Sequence, residues 1–106
     1  MSDMKDREKG FERKFAFDEE TRFKANARRN KLLGLWAAEK LGKSGADADA
    51  YAKEVVMSDI EEASDHDVFR KVRADFDAAG VEQSDHQIRR TMDELMALAV
   101  EQIKAS

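Results

Sequence analysis

The stretch Val68–Lys104, VFRKVRADFDAAGVEQSDHQIRRTMDELMALAVEQIK, decides the fold. Its first part carries Val68, Phe69, Val72 and Phe76 at three- and four-residue spacing and stops at Gly80, a residue suited to the left-handed position that closes a helix. Ser84 followed three positions later by Gln87 is a capping box, in which each residue satisfies a backbone N–H of the other. A second apolar stripe then runs through Ile88, Met92, Leu95, Ala99 and Ile103. Two amphipathic helices joined by so short a connection must lie roughly antiparallel, each burying its stripe against something else.

The same punctuation recurs upstream. Ser64 with Asp67 resembles a capping box and predicts the start of the Val68 helix at about residue 65. Ser44 with Asp47 predicts another start at about residue 45, on a helix offering Ala48, Ala52, Val55, Val56 and Ile60. Gly42 ends the helix before it, whose second half offers Leu32, Leu33 and Trp36. Proline is absent and no alternating apolar pattern is sustained. The expected class is therefore all-α: a small four-helix bundle over 17–106, with helices at about 17–41, 45–62, 65–79 and 85–104. A long first helix and a mobile N-terminal arm, residues 1–16, complete it.

The first helix changes character midway. Asp18 with Arg22 and Glu20 with Lys24 are i,i+4 pairs with the acid on the N-terminal side, the favoured order. Extending the Leu33–Trp36 stripe backwards at 100° per residue brings Arg29 and Arg22 onto the core line, and buried guanidinium groups need partners. A helix of 25 residues is about 37 Å long, against a radius of gyration of about 13 Å for a globule of this size. These two arguments together predict that the N-terminal half of the first helix leaves the bundle as a spike.

Composition excludes several functions. Of the net charge of −4, residues 1–31 contribute +3 and the rest −7, and an acidic body is a poor ligand for phosphate backbones. The strip Arg28-Arg29-Asn30-Lys31, with Lys24 and Phe23, reads as a solvated helix face before it reads as a nucleic-acid surface. Cysteine is absent, which removes disulfides and thiolate chemistry and fits a reducing compartment. No run approaches the length of a membrane span, and the opening residues carry no apolar signal core. His66 and His86 each follow a Ser-Asp pair in a first helical turn and read as exposed. With no phosphate-binding glycine loop, nucleophile elbow or zinc-binding run, no catalytic residue, metal ligand or cofactor is assigned, and the chain reads as a non-enzyme. A weak nucleotide site on the bundle is required by no motif. The expected location is cytoplasmic, without membrane insertion, and the expected free state is a monomer.

Residues 1–31 are the unusual part. They combine ten Lys/Arg and seven Asp/Glu with Phe11, Phe15, Phe17 and Phe23. Linkers seldom hold so many phenylalanines and cores seldom hold so many charges; segments with both fold onto partners. Phe11 and Phe15 stand at i,i+4 and form one apolar ridge if the segment becomes helical. The alternative is that these phenylalanines fold back onto the bundle.

The strings Asp6-Arg7-Glu8-Lys9-Gly10-Phe11-Glu12-Arg13-Lys14-Phe15-Ala16 and Phe23-Lys24-Ala25-Asn26-Ala27-Arg28-Arg29-Asn30-Lys31-Leu32-Leu33-Gly34-Leu35-Trp36-Ala37 resemble an α-proteobacterial family, the ATPase inhibitor subunit zeta of F-type ATP synthases. Gly42, Val55-Val56 with Ser58-Asp59, and Asp67-Val68-Phe69-Arg70-Lys71 extend the resemblance along the whole chain. The resemblance implies an inhibitor of ATP hydrolysis, peripheral to the inner membrane through ATP synthase. Its N-terminal arm would enter an α/β subunit interface of the catalytic head and reach the central stalk, blocking hydrolytic rotation. It makes Asp6, Arg7, Glu8, Lys9, Phe11, Glu12, Lys14 and Phe15 the candidate contact segment. Phe23, Lys24, Arg28 and Arg29 are secondary candidates, with Arg29 also explicable as a structural residue. The competing expectation is a small helical module that regulates through nucleotide or nucleic acid.

Overall fold

The computed structural model describes residues 19–59 and 65–105. These form four helices: α1 (Glu19–Lys40), α2 (Gly45–Met57), α3 (Asp65–Ala79) and α4 (Asp85–Ala105), with no strand among the described residues. The class is all-α, a four-helix bundle. Contacts at the helix ends fix the directions. Arg28 near the start of α1 bonds Gln102 near the end of α4. Trp36 near the end of α1 meets Phe76 near the end of α3, with ring centroids 5.7 Å apart. Arg73 on α3 bonds Asp85 at the start of α4. The helices therefore alternate up and down, and α1 lies against both α2 and α4 along most of its length.

The helix ends show why the chain turns where it does. At Gly42, φ is +81°, and the N–H groups of Gly42 and Lys43 donate to the carbonyls of Glu39 and Ala38. At Gly80, φ is +72°, and Val81 N–H donates to Phe76. Both are left-handed closures that a Cβ would strain. The Ser84–Gln87 capping box is formed in both directions, at 2.8 and 3.0 Å. Ser44 caps α2 differently from expectation: its side chain makes no cap bond, and only its carbonyl receives Asp47 and Ala48. The Ser64–Asp67 box involves Ser64, outside the described residues.

Helix α2 ends at Met57 rather than near residue 62. Ser58 N–H donates to Glu54 and Val55, its hydroxyl donates to the Val55 carbonyl at 2.6 Å, and Asp59 N–H turns back to Val56. The Asp59 carboxylate is then taken by Asn30 of α1. These bonds complete the last turn and lead the backbone off the helix axis.

The core gathers Leu33, Ala37 and Ala38 of α1, Tyr51 and Val55 of α2, all four stripe residues of α3, and Ile88 and Met92 of α4. Trp36, Ala48 and Leu95 pack against its edge. At Gly34 α1 and α2 approach closely, a methyl there falling 2.6 Å from the Ala52 Cα.

The first half of α1 does not leave the bundle from Ala25 onwards. Ala25, Asn26, Arg29 and Asn30 are all buried. The expected spike is absent there because Arg29 has partners: its Nε donates to Asn30 Oδ1 and its Nη2 to Asp65, both at 2.7 Å. Helix α4, at 21 residues nearly as long as the 22-residue α1, reaches far enough to cover this half.

Candidate functional site

Of the candidate contact residues, Asp6, Arg7, Glu8, Lys9, Phe11, Glu12, Lys14 and Phe15 lie outside the described residues, as does Phe17. The others stand on α1 and divide sharply. Phe23 is 71% exposed, Lys24 and Arg28 are exposed, and Arg29 is 2% exposed. Positions 24 and 28 are one turn apart on one ridge and 23 belongs to the ridge beside it, whereas 29 falls on the inner face. Arg29 is thus a packing residue and is withdrawn from the contact surface.

Phe23, Lys24 and Arg28 edge a groove of about 580 Å³, together with Ala27, Lys31, Val56 and Ile103. Its walls come from α1, the end of α2 and the end of α4. Phe23, Ala27, Val56 and Ile103 give it an apolar part, and Lys24, Arg28 and Lys31 give it three cations. Among the described residues no carboxylate lines it, although the chain as a whole is acidic. Arg28 Nη1 donates to the Gln102 amide oxygen at 2.7 Å, and Lys24 lies 3.5 Å from Glu20, the i,i+4 pair anticipated from the sequence. Lys31, Val56 and Ile103 were not among the sequence candidates. Lys31 continues the 24–28 ridge and was legible; Val56 and Ile103 join only through tertiary packing.

Beneath the groove, Arg29 and Asn30 form a buried polar pair. Arg29 holds Asp65 at the start of α3, and Asn30 Nδ2 donates to Asp59 after α2 at 3.2 Å. One pair of side chains on α1 therefore anchors both flanks of the 60–64 connection.

A second polar cluster joins α2 to α3. The Tyr51 hydroxyl donates to Asp75 at 2.7 Å, and Lys71 Nζ lies 3.0 Å from both Glu54 and Asp75. Burial, reinforced by the hydrogen bond to the Asp75 carboxylate and by its charge, pushes the Tyr51 phenol far above its usual range. Burial works against the Lys71 charge, but hydrogen bonds to Asp75 and Glu54 outweigh it and raise the ammonium overall. Both groups hold their protons more tightly than usual, and the cluster clasps two helices. His66 and His86 are exposed in first turns; His66 stacks beside Phe69, whose other neighbour is the Arg89 guanidinium at 4.1 Å. Among the described residues no three His, Cys, Asp or Glu converge as metal ligands. No described helix is long and apolar enough to cross a membrane.

No sequence among curated proteins matches the chain. A solution NMR structure of a similar protein is 52% identical, over 78% of this chain and 94% of the other, with a TM-score of 0.69. The family model described as ATPase inhibitor subunit zeta matches residues 1–102, so it takes in the Phe-bearing N-terminal segment, the grooved face of α1 and nearly all of the bundle behind them. With both halves of the chain accounted for by one family model, the chain belongs to the ATPase inhibitor subunit zeta family.

Proposed function

We propose that this chain inhibits ATP hydrolysis by an F-type ATP synthase, with the arm 1–16 folding into an α/β subunit interface of the catalytic head and obstructing rotation of the central stalk. The observation that carries the reading is the family match, which is to an ATPase inhibitor subunit and includes the N-terminal segment. The physics of the two parts supports it. A blocking element must be slender, hold on by apolar side chains and be steered by charge. Phe11 and Phe15 are the anchors, with Asp6, Arg7, Glu8, Lys9, Glu12 and Lys14 around them. Ordering such a segment costs about 1–2 kcal/mol per residue, offset by the surface it buries. The exposed Phe23, Lys24 and Arg28 continue the contact surface onto the bundle, which is too broad to follow the segment into a cleft. The chain acts by binding, at the periphery of the membrane through the enzyme it inhibits.

The test is ATP hydrolysis by the isolated catalytic head of the cognate enzyme. The full chain inhibits; Phe11→Ala with Phe15→Ala, and separately a chain lacking residues 1–16, inhibit far less. Equal inhibition by all three moves the function to the bundle, and inhibition by none removes the reading.

A further inference from the structure

Charge is segregated along α1. From Thr21 to Ala38 the chain holds five Lys/Arg and no Asp/Glu, whereas residues 32–106 together carry −7. At 100° per residue, Lys24, Arg28 and Lys31 fall within an arc of about 60°. The buried Ala25, Asn26, Arg29, Asn30 and Leu33 fall on the opposite half of the helix. All three cations are exposed, and they stand in a strip about 11 Å long. Phe23, 71% exposed, lies at the edge of that strip.

Contacts within the chain do little to quench this charge. Arg28 bonds the neutral amide oxygen of Gln102. Lys24 meets Glu20 at 3.5 Å with both side chains mostly exposed. Such pairs contribute little to stability, so a carboxylate from outside can take the place of Glu20.

We infer that Lys24, Arg28 and Lys31, with Phe23 beside them, form a docking strip for a carboxylate-rich protein surface, on the catalytic head next to the cleft that receives the arm. The location rests on the inhibitory reading above; the acidic character of the partner surface rests on the strip itself. Charge favours protein carboxylates over nucleic acid. Proteins that hold nucleic acid do so through about six to ten phosphate contacts. Three cations on an acidic body offer fewer, and that body repels the rest of the strand. A folded acidic surface can meet the strip alone and stay clear of the body. Phe23 adds an apolar contact of the kind enriched at protein interfaces. Opposite charges at the rim of the contact act chiefly on association, so the strip would speed capture of the arm by its cleft.

The experiment mixes the full chain with the isolated catalytic head and a carbodiimide, which joins an ammonium to a touching carboxylate without a spacer. Intermolecular links are mapped by mass spectrometry. Lys24 and Lys31 are expected to dominate them over Lys53, an exposed lysine of α2. In parallel, Lys24→Glu/Lys31→Glu is expected to slow the onset of inhibition about tenfold at low salt and to match the wild type in about 0.5 M salt. Lys53→Glu/Arg90→Glu makes the same change of net charge at exposed positions of α2 and α4 and is expected to leave the onset as it was. Unchanged circular dichroism verifies the bundle in each variant. Links spread evenly over the three lysines, or equal onset in the two variants, overturn the strip and leave the inhibitory reading standing. Links at Lys24 and Lys31 without inhibition by any chain sink that reading and keep the strip. A wild-type chain that neither links nor inhibits sinks both. If Lys24→Glu/Lys31→Glu instead loses affinity for single-stranded DNA or phosphatidylglycerol vesicles and acts on the head as the wild type does, the strip belongs to phosphate and the proposal is overturned.

Discussion

Gly34→Ala sets two sizeable effects against each other and the structure decides between them. Replacing a helix-interior glycine by alanine stabilises by about 1 kcal/mol when nothing is touched. Here the new methyl would stand 2.6 Å from the Ala52 Cα, 3.1 Å from its Cβ and 3.2 Å from the Val55 Cβ. Carbon atoms in contact settle at about 3.5–4.0 Å, so α1 and α2 must part by roughly 1 Å. The nearest atom is backbone and cannot rotate aside. Overpacking of this kind costs about 1–3 kcal/mol, and with backbone as the obstacle the upper part of that range applies. The net expectation is a loss of about 1–2 kcal/mol, or a Tm lower by about 5–15 °C for a domain of this size. Chemical denaturation followed by helical circular dichroism and by Trp36, the sole tryptophan, measures it. Ala52→Gly provides the internal check. It removes the 3.1 Å contact but not the 2.6 Å one, so in a double-mutant cycle it should recover little of the loss. A Gly34→Ala chain as stable as the wild type, or full recovery on adding Ala52→Gly, would refute a backbone-limited approach of the two helices.

Three further outcomes are expected. Asp65→Ala should cost about 2–3 kcal/mol although the Asp65 side chain is 54% exposed, because it strands the buried Arg29 guanidinium; Asp67→Ala, which releases only the exposed Arg70, should cost under about 1 kcal/mol, and urea unfolding of the pair compares them. Ser84→Ala should lose about 1 kcal/mol of stability and Ser44→Ala only a few tenths, since the first side chain caps its helix and the second does not; equal losses would contradict the capping geometry. Tyr51 is the only tyrosine, so phenolate absorbance reports it alone. Its folded pKa lies above the unfolded value of about 10. The stability it contributes is therefore complete below about pH 10 and declines above it, and the phenolate signal should rise only with loss of helical signal. Ionisation in the folded chain near the ordinary phenol value would show that Asp75 and burial do not hold the proton.

Local chemistry was the most legible part of the fold. Gly42, Gly80 and the Ser84–Gln87 pair act within one turn of themselves, so their spacing is nearly their structure. The stripes of α3 and α4 likewise name their own inner faces. Much of what sequence reading misplaced was decided by another helix. Arg29 reads as unfit for a core until Asp65 and Asn30 supply its bonds. Continuing α2 to residue 62 was reasonable by periodicity, but Ser58 and the Asn30–Asp59 bond end it sooner. The site follows the same division. Phe23, Lys24 and Arg28 were visible because they share one helix, whereas Val56 and Ile103 complete the groove from two others.

That assembly has a consequence for the chain while it is being made. Arg28 and its partner Gln102 are 74 positions apart, and α2 and α4 each rest on α1 rather than on each other. On a ribosome, α1 and α2 emerge early and can zip together at Gly34 and Ala52. The flank of α1 that carries Arg28 stays uncovered until Gln102 and its neighbours leave the exit tunnel. The Phe-bearing segment is thus translated first, yet the surface beside it is finished last. A nascent or prematurely terminated chain carries the segment without its finished platform.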